Sequence, residues 1–175
     1  MDTARRLFVS LCVAALPLGA LARPAAPAAA VTGTVTEVVD GNRLTLTPAG
    51  GAPIAVRLRD IDAPELCQTW GEEARRALAE MALNKAATWR ASGRDAQGRT
   101  VARVWVDEVD LSRQMVEEGQ AWSTRTRFDQ GPLVKQERMA HALGRGLHGV
   151  AGAVMPREFR RTHGPCVAPA AAPPR

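Results

Sequence analysis

Apolar and polar residues alternate in the segments around Leu44–Leu46 and Ile54–Leu58, whereas between residues 71 and 85 apolar positions recur mostly every three or four residues. Period two is the signature of a half-buried strand and period 3.6 that of an amphipathic helix. Residues 31–39, rich in Val and Thr, predict a first strand, and Asp40-Gly41-Asn42 a tight turn. Leu44 and Leu46 alternate in a second strand. A loop follows from Pro48 to Pro53, and residues 54–61 form a third strand. Gly71 to Lys85 predicts a helix, with Ala74, Ala77, Leu78, Met81 and Ala82 on one face. Residues 86–92 and 100–106 are two further strands joined by a turn at Arg94 to Arg99. Asp110 is an N-cap for a short helix with Leu111 and Met115 inward, and Gly119 its stop. Gly131-Pro132 opens a third helix with Leu133, Gln136, Ala140 and Leu143 on one stripe, ended by Gly144 and Gly146.

Five short strands, with a helix between the third and fourth and two more helices after the fifth, predict an α+β fold. The five-stranded OB-fold barrel with three helices is the expected architecture, and such barrels bind nucleic acids. Four Trp, three Phe and no Tyr make a small aromatic inventory. Trp89 and Trp105 fall in strands and Trp70 and Trp122 near helix ends, places where a core role outweighs base stacking.

The ends of the chain change the picture of where it works. Arg5 and Arg6 precede a short apolar run, Leu7 to Leu18, and Ala20-Leu21-Ala22 fits a small-x-small cleavage site. Residues 1–22 are therefore expected to be a secretory signal peptide and residues 23–30 a Pro/Ala linker. Cleavage after Ala30 and a retained anchor are the alternatives. The run is too short to span a bilayer, so no stable membrane insertion is expected after cleavage, and the protein is placed in the periplasm or outside the cell. Cleavage removes Cys12 and leaves Cys67 and Cys166, an even count that suggests a disulfide in an oxidising compartment, against the alternative of two free thiols. Residues 31–150 form the folded domain, 151–166 a basic extension with Arg157, Arg160 and Arg161, and 167–175 a disordered Ala/Pro tail. Nothing marks an interface, and a monomer is expected.

Net charge is +5, and loss of Arg5, Arg6 and Asp2 with the leader lowers it to +4. Only Lys85 and Lys135 are lysines; the other basic residues are arginines, whose planar forks match phosphate oxygens. A basic balance alone equally fits a surface-adsorbing protein. The chemistry is concentrated in Arg57-Leu58-Arg59-Asp60-Ile61-Asp62-Ala63-Pro64-Glu65. Ile54, Val56 and Leu58 take one face of the strand, so Arg57 points to the other. Pro64 stiffens the turn that holds Asp62 and Glu65 near the strand end. A fixed cation beside two fixed carboxylates is a setting for metal-assisted phosphodiester hydrolysis. An oxygen-only ligand set suits Ca²⁺ over Zn²⁺. His141, His148 and His163 are scattered, without zinc spacing.

With those residues in view, the chain resembles the staphylococcal-nuclease-like (thermonuclease) domain family from about Val31 to Gly149. Val38-Val39-Asp40-Gly41, the Arg57–Glu65 segment and Gly98-Arg99-Thr100-Val101-Ala102 carry the resemblance in order and spacing. It implies catalytic roles for Arg57, Glu65 and Arg99. It also implies a Ca²⁺ ligand at Asp62, a backbone ligand at Ala63, and DNA and/or RNA as substrate. Two arginines placed in advance stabilise the charge that develops on the phosphoryl oxygens, and Glu65 orients or deprotonates the attacking water.

Two departures weaken this expectation. Asp40-Gly41-Asn42-Arg43 stands where the family usually continues Asp-Gly-Asp-Thr, so Asn42 replaces a metal-binding carboxylate and Arg43 adds opposing charge. Asp40, turned inward, is the expected compensation. Gln97 stands where a tyrosine commonly precedes the Gly-Arg pair. In the loop before the last helix, Arg125 and Arg127 are expected to hold phosphates with less base stacking. An exported metal-dependent nuclease with a weakened calcium site is the leading expectation. A non-catalytic nucleic-acid-binding module on the same fold is the alternative. A periplasmic structural or interaction protein is a third.

Overall fold

The computed structural model describes residues 30–164 and 166; the expected signal peptide, nearly all of the linker, and the Ala/Pro tail lie outside these residues. In chain order the strands are β1 (Val31–Val38), β2 (Arg43–Pro48), β3 (Ile54–Leu58), β4 (Ile61–Asp62), β5 (Ala86–Arg94), β6 (Thr100–Val106), β7 (Val109–Asp110) and β8 (Trp122–Ser123). The helices are α1 (Gly71–Ala82), α2 (Leu111–Glu117), α3 (Val134–Ala142) and α4 (Pro156–His163), with a 3-10 turn at Gly146–Gly149.

β1, β2 and β3 form an antiparallel meander, β5 pairs with both β1 and β6, and β3 lies parallel to β6. That last pairing closes five strands into a barrel, the α+β architecture expected of the OB-fold. Alternation supplies its core: Val35, Leu44, Leu46, Val56, Leu58, Ala102 and Val104 are all buried, and Trp89 with them. α1 covers the barrel with Ala74, Leu78 and Ala82, and α2 with Leu111, Met115 and Val116. Each such Leu, Val or Met contributes about 1.5–3 kcal/mol by leaving water. Asp110 caps α2 by accepting from the Arg113 amide at 3.3 Å.

Four differences from expectation have local causes. The third strand stops at Leu58, because Asp60 takes a left-handed backbone (φ 70°), and the chain restarts as β4, paired with β8. α1 ends at Ala82 rather than Lys85, since Asn84 is also left-handed (φ 61°) and donates its amide to the Val35 carbonyl. α3 buries Leu133, Glu137 and Ala140, while Leu143 is exposed, so its inward stripe passes through a carboxylate instead of Gln136. The fourth α-helix, α4, was not among the three expected. It opens on Pro156 at its first position, where the missing N–H costs nothing, and Pro156 is the one residue it buries.

Candidate active site

The barrel brings four separate segments to one mouth. The β1–β2 turn supplies Asp40, Asn42 and Arg43, and β3 with its following loop supplies Arg57, Asp62, Ala63 and Glu65. The β5–β6 turn supplies Asp95, Ala96, Gln97 and Arg99, and α4 supplies Arg160. Together they line a pocket of about 500 Å³. All seven residues expected to serve catalysis or metal binding therefore meet. Arg125 and Arg127 are not among the residues lining this pocket.

Register places the arginines. Arg43 on β2 faces Arg57 on β3, and Arg57 lies beside Val101 in the parallel β3–β6 pairing, two residues from Arg99. Like charges directly opposite each other on a sheet are unfavourable, so each needs an anion. Arg43 pairs with Asp40. Arg57 lies 3.6 Å from Asp62 and donates to the Ile61 carbonyl at 3.4 Å. Arg99 binds Asp95 at 2.6 Å. The Asp95 carboxylate also accepts from the Gln97 and Arg99 amides at 3.0 Å each, which fixes the turn. Desolvation pushes the Asp95 carboxyl upward, but the side-chain bond, amide bonds and charge of Arg99 outweigh it and hold it below its ordinary range. Gln97, in the place of the family's tyrosine, accepts from Arg99 at 3.1 Å.

Close approach explains why the acidic turns sit where they do. A Cβ on Gly41 would lie 2.7 Å from both Ala63 and Ala74, so only glycine lets the β1–β2 turn press against the Asp62–Glu65 loop and α1. A Cβ on Gly71 would meet the Glu65 carbonyl at 2.0 Å. The buried Gln68 side chain then staples this loop: it accepts from the Glu65 amide at 3.2 Å and donates to the Val154 carbonyl at 2.6 Å. Cys67 is bonded to Cys166, 99 residues away, as the cysteine count suggested.

Arg160 is the residue whose place in the site the sequence did not reveal. Its guanidinium donates to Glu65 at 2.7 Å and to Asp62 at 2.9 Å, bridging the two carboxylates. Burial works against its charge, but the hydrogen bonds to Asp62 and Glu65 more than offset this and raise its pKa. The one available signal was Cys166: a disulfide to Cys67 brings the basic extension to within two residues of Glu65.

Ca²⁺, which the resemblance implies, needs several oxygen donors carrying net negative charge around one point. Asp40 is buried as expected, but it faces Arg43 and the Asn42 amide instead of compensating for the lost carboxylate. Asn42 is neutral, and its amide points toward the Ile61 carbonyl at 3.5 Å. Asp62 is shared by two guanidinium groups. Among the described residues no three acidic, histidine or cysteine side chains group as a cation site. As arranged, the donor set does not fit a resident divalent ion.

Outside the pocket, Arg125 is held by the buried Glu137. Arg127 lies over the ring of Phe128, which is 92% exposed.

Comparison with known proteins places the chain in a family. Residues 55–148 match the family described as staphylococcal nuclease homologues. An uncharacterized endonuclease of Haemophilus influenzae is 31% identical over 73% of this chain and 71% of its own length. Protein ParB of Escherichia coli is 34% identical over 90% of this chain and 94% of its own. A micrococcal nuclease of Shigella flexneri is 29% identical over 74% and 80%. On the family match over more than half of the chain and the similarity to the Haemophilus influenzae endonuclease, the chain belongs to the staphylococcal nuclease homologue family.

Proposed function

We propose that this chain is an exported endonuclease that hydrolyses phosphodiester bonds in DNA and/or RNA. The observation that carries the reading is the convergence of Arg57, Glu65 and Arg99, from β3, its loop and the β5–β6 turn, on one pocket of about 500 Å³. A phosphodiester entering it meets Arg57 and Arg99 from the barrel side. Both side chains are half-buried and held by aspartates, so their forks are placed before the substrate arrives. Charge that builds on the phosphoryl oxygens is stabilised without reorganising the site. Glu65 orients or deprotonates the attacking water once its carboxylate is free of Arg160. Arg127 and Phe128 offer a cation and an open ring for a phosphate and a base, while Arg125 is already paired with Glu137. The disulfide supports export to an oxidising compartment.

The family is calcium-dependent in general; here the donors around Asp62 hold guanidinium groups and do not fit a resident ion, so the calcium site is weakened. A second reading, a nucleic-acid-binding module without catalysis, is favoured by one observation: Arg160 sits on Glu65, the group that would act on water. Cleavage of labelled single-stranded DNA by oxidised mature protein, across Ca²⁺, Mg²⁺ and Mn²⁺ titrations and with chelator, separates the two. The nuclease reading expects cleavage that drops on the order of 10³-fold or more in Arg99→Ala. It also expects Glu65→Gln to lose turnover while keeping DNA affinity. Salt-sensitive DNA binding with no cleavage at millimolar metal would establish the binding module instead.

A further inference from the structure

We propose that Arg160 is the resident cation of this site. Its guanidinium takes the charge-compensating place between Asp62 and Glu65, and a divalent ion binds there only by displacing it. This deepens the nuclease reading and rests on it for its biological meaning, though the competition itself is a property of the apo protein.

Three observations carry the inference. First, charge at the pocket is already balanced. Asp40, Asp62, Glu65 and Asp95 face Arg43, Arg57, Arg99 and Arg160, and each carboxylate has a guanidinium partner. Removing Arg160 leaves Glu65 without a partner and Asp62 with only the longer contact to Arg57. That is a net unit of negative charge in a half-buried pocket, the condition a divalent cation needs.

Second, Arg160 is delivered by a helix that is tethered more than packed. α4 buries only Pro156, yet Arg160 donates to both carboxylates. The tethers lie on either side: the Gln68–Val154 hydrogen bond before α4 and the Cys67–Cys166 bond after it. Both end on the loop that carries Glu65. A segment held at two points next to a pair of carboxylates has a high effective concentration of its cation there.

Third, Asn42 is consistent with a monovalent resident. One guanidinium, with two forked N–H faces, suits two carboxylates. A third carboxylate at position 42 would leave the site under-compensated. Of the other acids lining the pocket, Asp40 is taken up by Arg43 and Asp95 by Arg99.

The test is calorimetric titration of Ca²⁺ into the oxidised, metal-stripped chain without nucleic acid, comparing wild type, Arg160→Gln, Arg157→Gln and Cys67→Ser/Cys166→Ser. Arg157 is exposed on the same helix and controls for a general loss of charge. Arg160→Gln is expected to tighten Ca²⁺ binding at least tenfold and Arg157→Gln less than twofold. The cysteine variant, which keeps Arg160 but frees α4, should fall between them. Equal affinity in wild type and Arg160→Gln, or an equal gain in Arg157→Gln, overturns the proposal. Circular dichroism establishes that each variant keeps its fold. DNA cleavage assayed separately keeps the two readings apart: tighter Ca²⁺ with no cleavage in any variant defeats the nuclease and leaves the competition standing.

Discussion

Asn42 shows how a single side chain shifts the balance between anion and cation at this mouth. It is buried beside Asp40, and its amide is directed at the Ile61 carbonyl. Asn42→Asp replaces that weak donor with a carboxylate facing a carbonyl oxygen, near Asp62. Without metal the change is expected to destabilise the protein by about 3 kcal/mol or more, because an unsatisfied buried polar group costs about 1–3 kcal/mol and a charged one more. Ca²⁺ at a hundredfold excess over its dissociation constant should return about 2.7 kcal/mol. Thermal melts with and without Ca²⁺ check this: the variant should gain several degrees from the ion and the wild type much less. Equal responses would mean that position 42 does not reach the cation. Arg57, Asp62 and Glu65 were legible in the sequence because one strand and one proline-stiffened turn set their spacing. Arg99 was legible from the Gly98-Arg99 pair. Arg160 was not, because Arg157, Arg160 and Arg161 look alike as composition. Only a contact made across 95 residues distinguishes the one that reaches Glu65.

At the scale of elements, the alternating strands were readable because burial on one face of a barrel imposes period two. In α3 the stripe expected from Leu133 and Ala140 is right, but Gln136 and Leu143 are misassigned because the inward row includes a charge. Glu137 is buried, accepts from the Ser123 amide at 2.9 Å and binds Arg125. It thereby fixes β8, which pairs Trp122 with Asp62 on β4, so α3 braces the strand that carries a site carboxylate. A carboxylate in a helix stripe reads as solvent-facing unless its amide partner is known, and that partner lies 14 residues upstream. Glu137→Ala strands the Ser123 N–H in a fully buried position and releases Arg125. The expected loss is about 1.5–3 kcal/mol, the range for hydrogen bonds to charged groups. Glu137→Gln, which keeps an acceptor, should lose less. Urea denaturation midpoints at constant slope measure both, and a change below about 0.5 kcal/mol in the alanine variant would show that α3 does not hold β8 this way.

For the whole molecule, the disulfide divides one chain into a packed barrel and a tethered arm. A cross-link closing about 100 residues is worth about 4.7 kcal/mol in the unfolded chain by loop entropy alone. That figure assumes that the native state gains nothing when the bond is cut, which α4 contradicts. The last fully buried side chain before α4 is Leu147, and α4 itself buries only Pro156. In the reduced protein the arm that carries α4 keeps the Gln68–Val154 hydrogen bond and the Arg160 bridge but loses its covalent tether, and it is expected to leave the barrel. The folded oxidised chain must close that arm too, a loop of the order of 15 residues, at about 3 kcal/mol. The difference, about 1–2 kcal/mol, is the expected stability lost by Cys67→Ser/Cys166→Ser. For a domain of this size it corresponds to a fall in Tm of the order of 5 °C. Hydrogen exchange should show the asymmetry directly. Amides of α4 should lose their protection in the variant, while those of β1, β5 and β6 keep nearly all of theirs. A loss near 4.7 kcal/mol spread evenly over barrel and arm would mean that α4 stays docked without its tether. The Arg160 bridge to Asp62 and Glu65 would then be strong enough to hold the helix on its own.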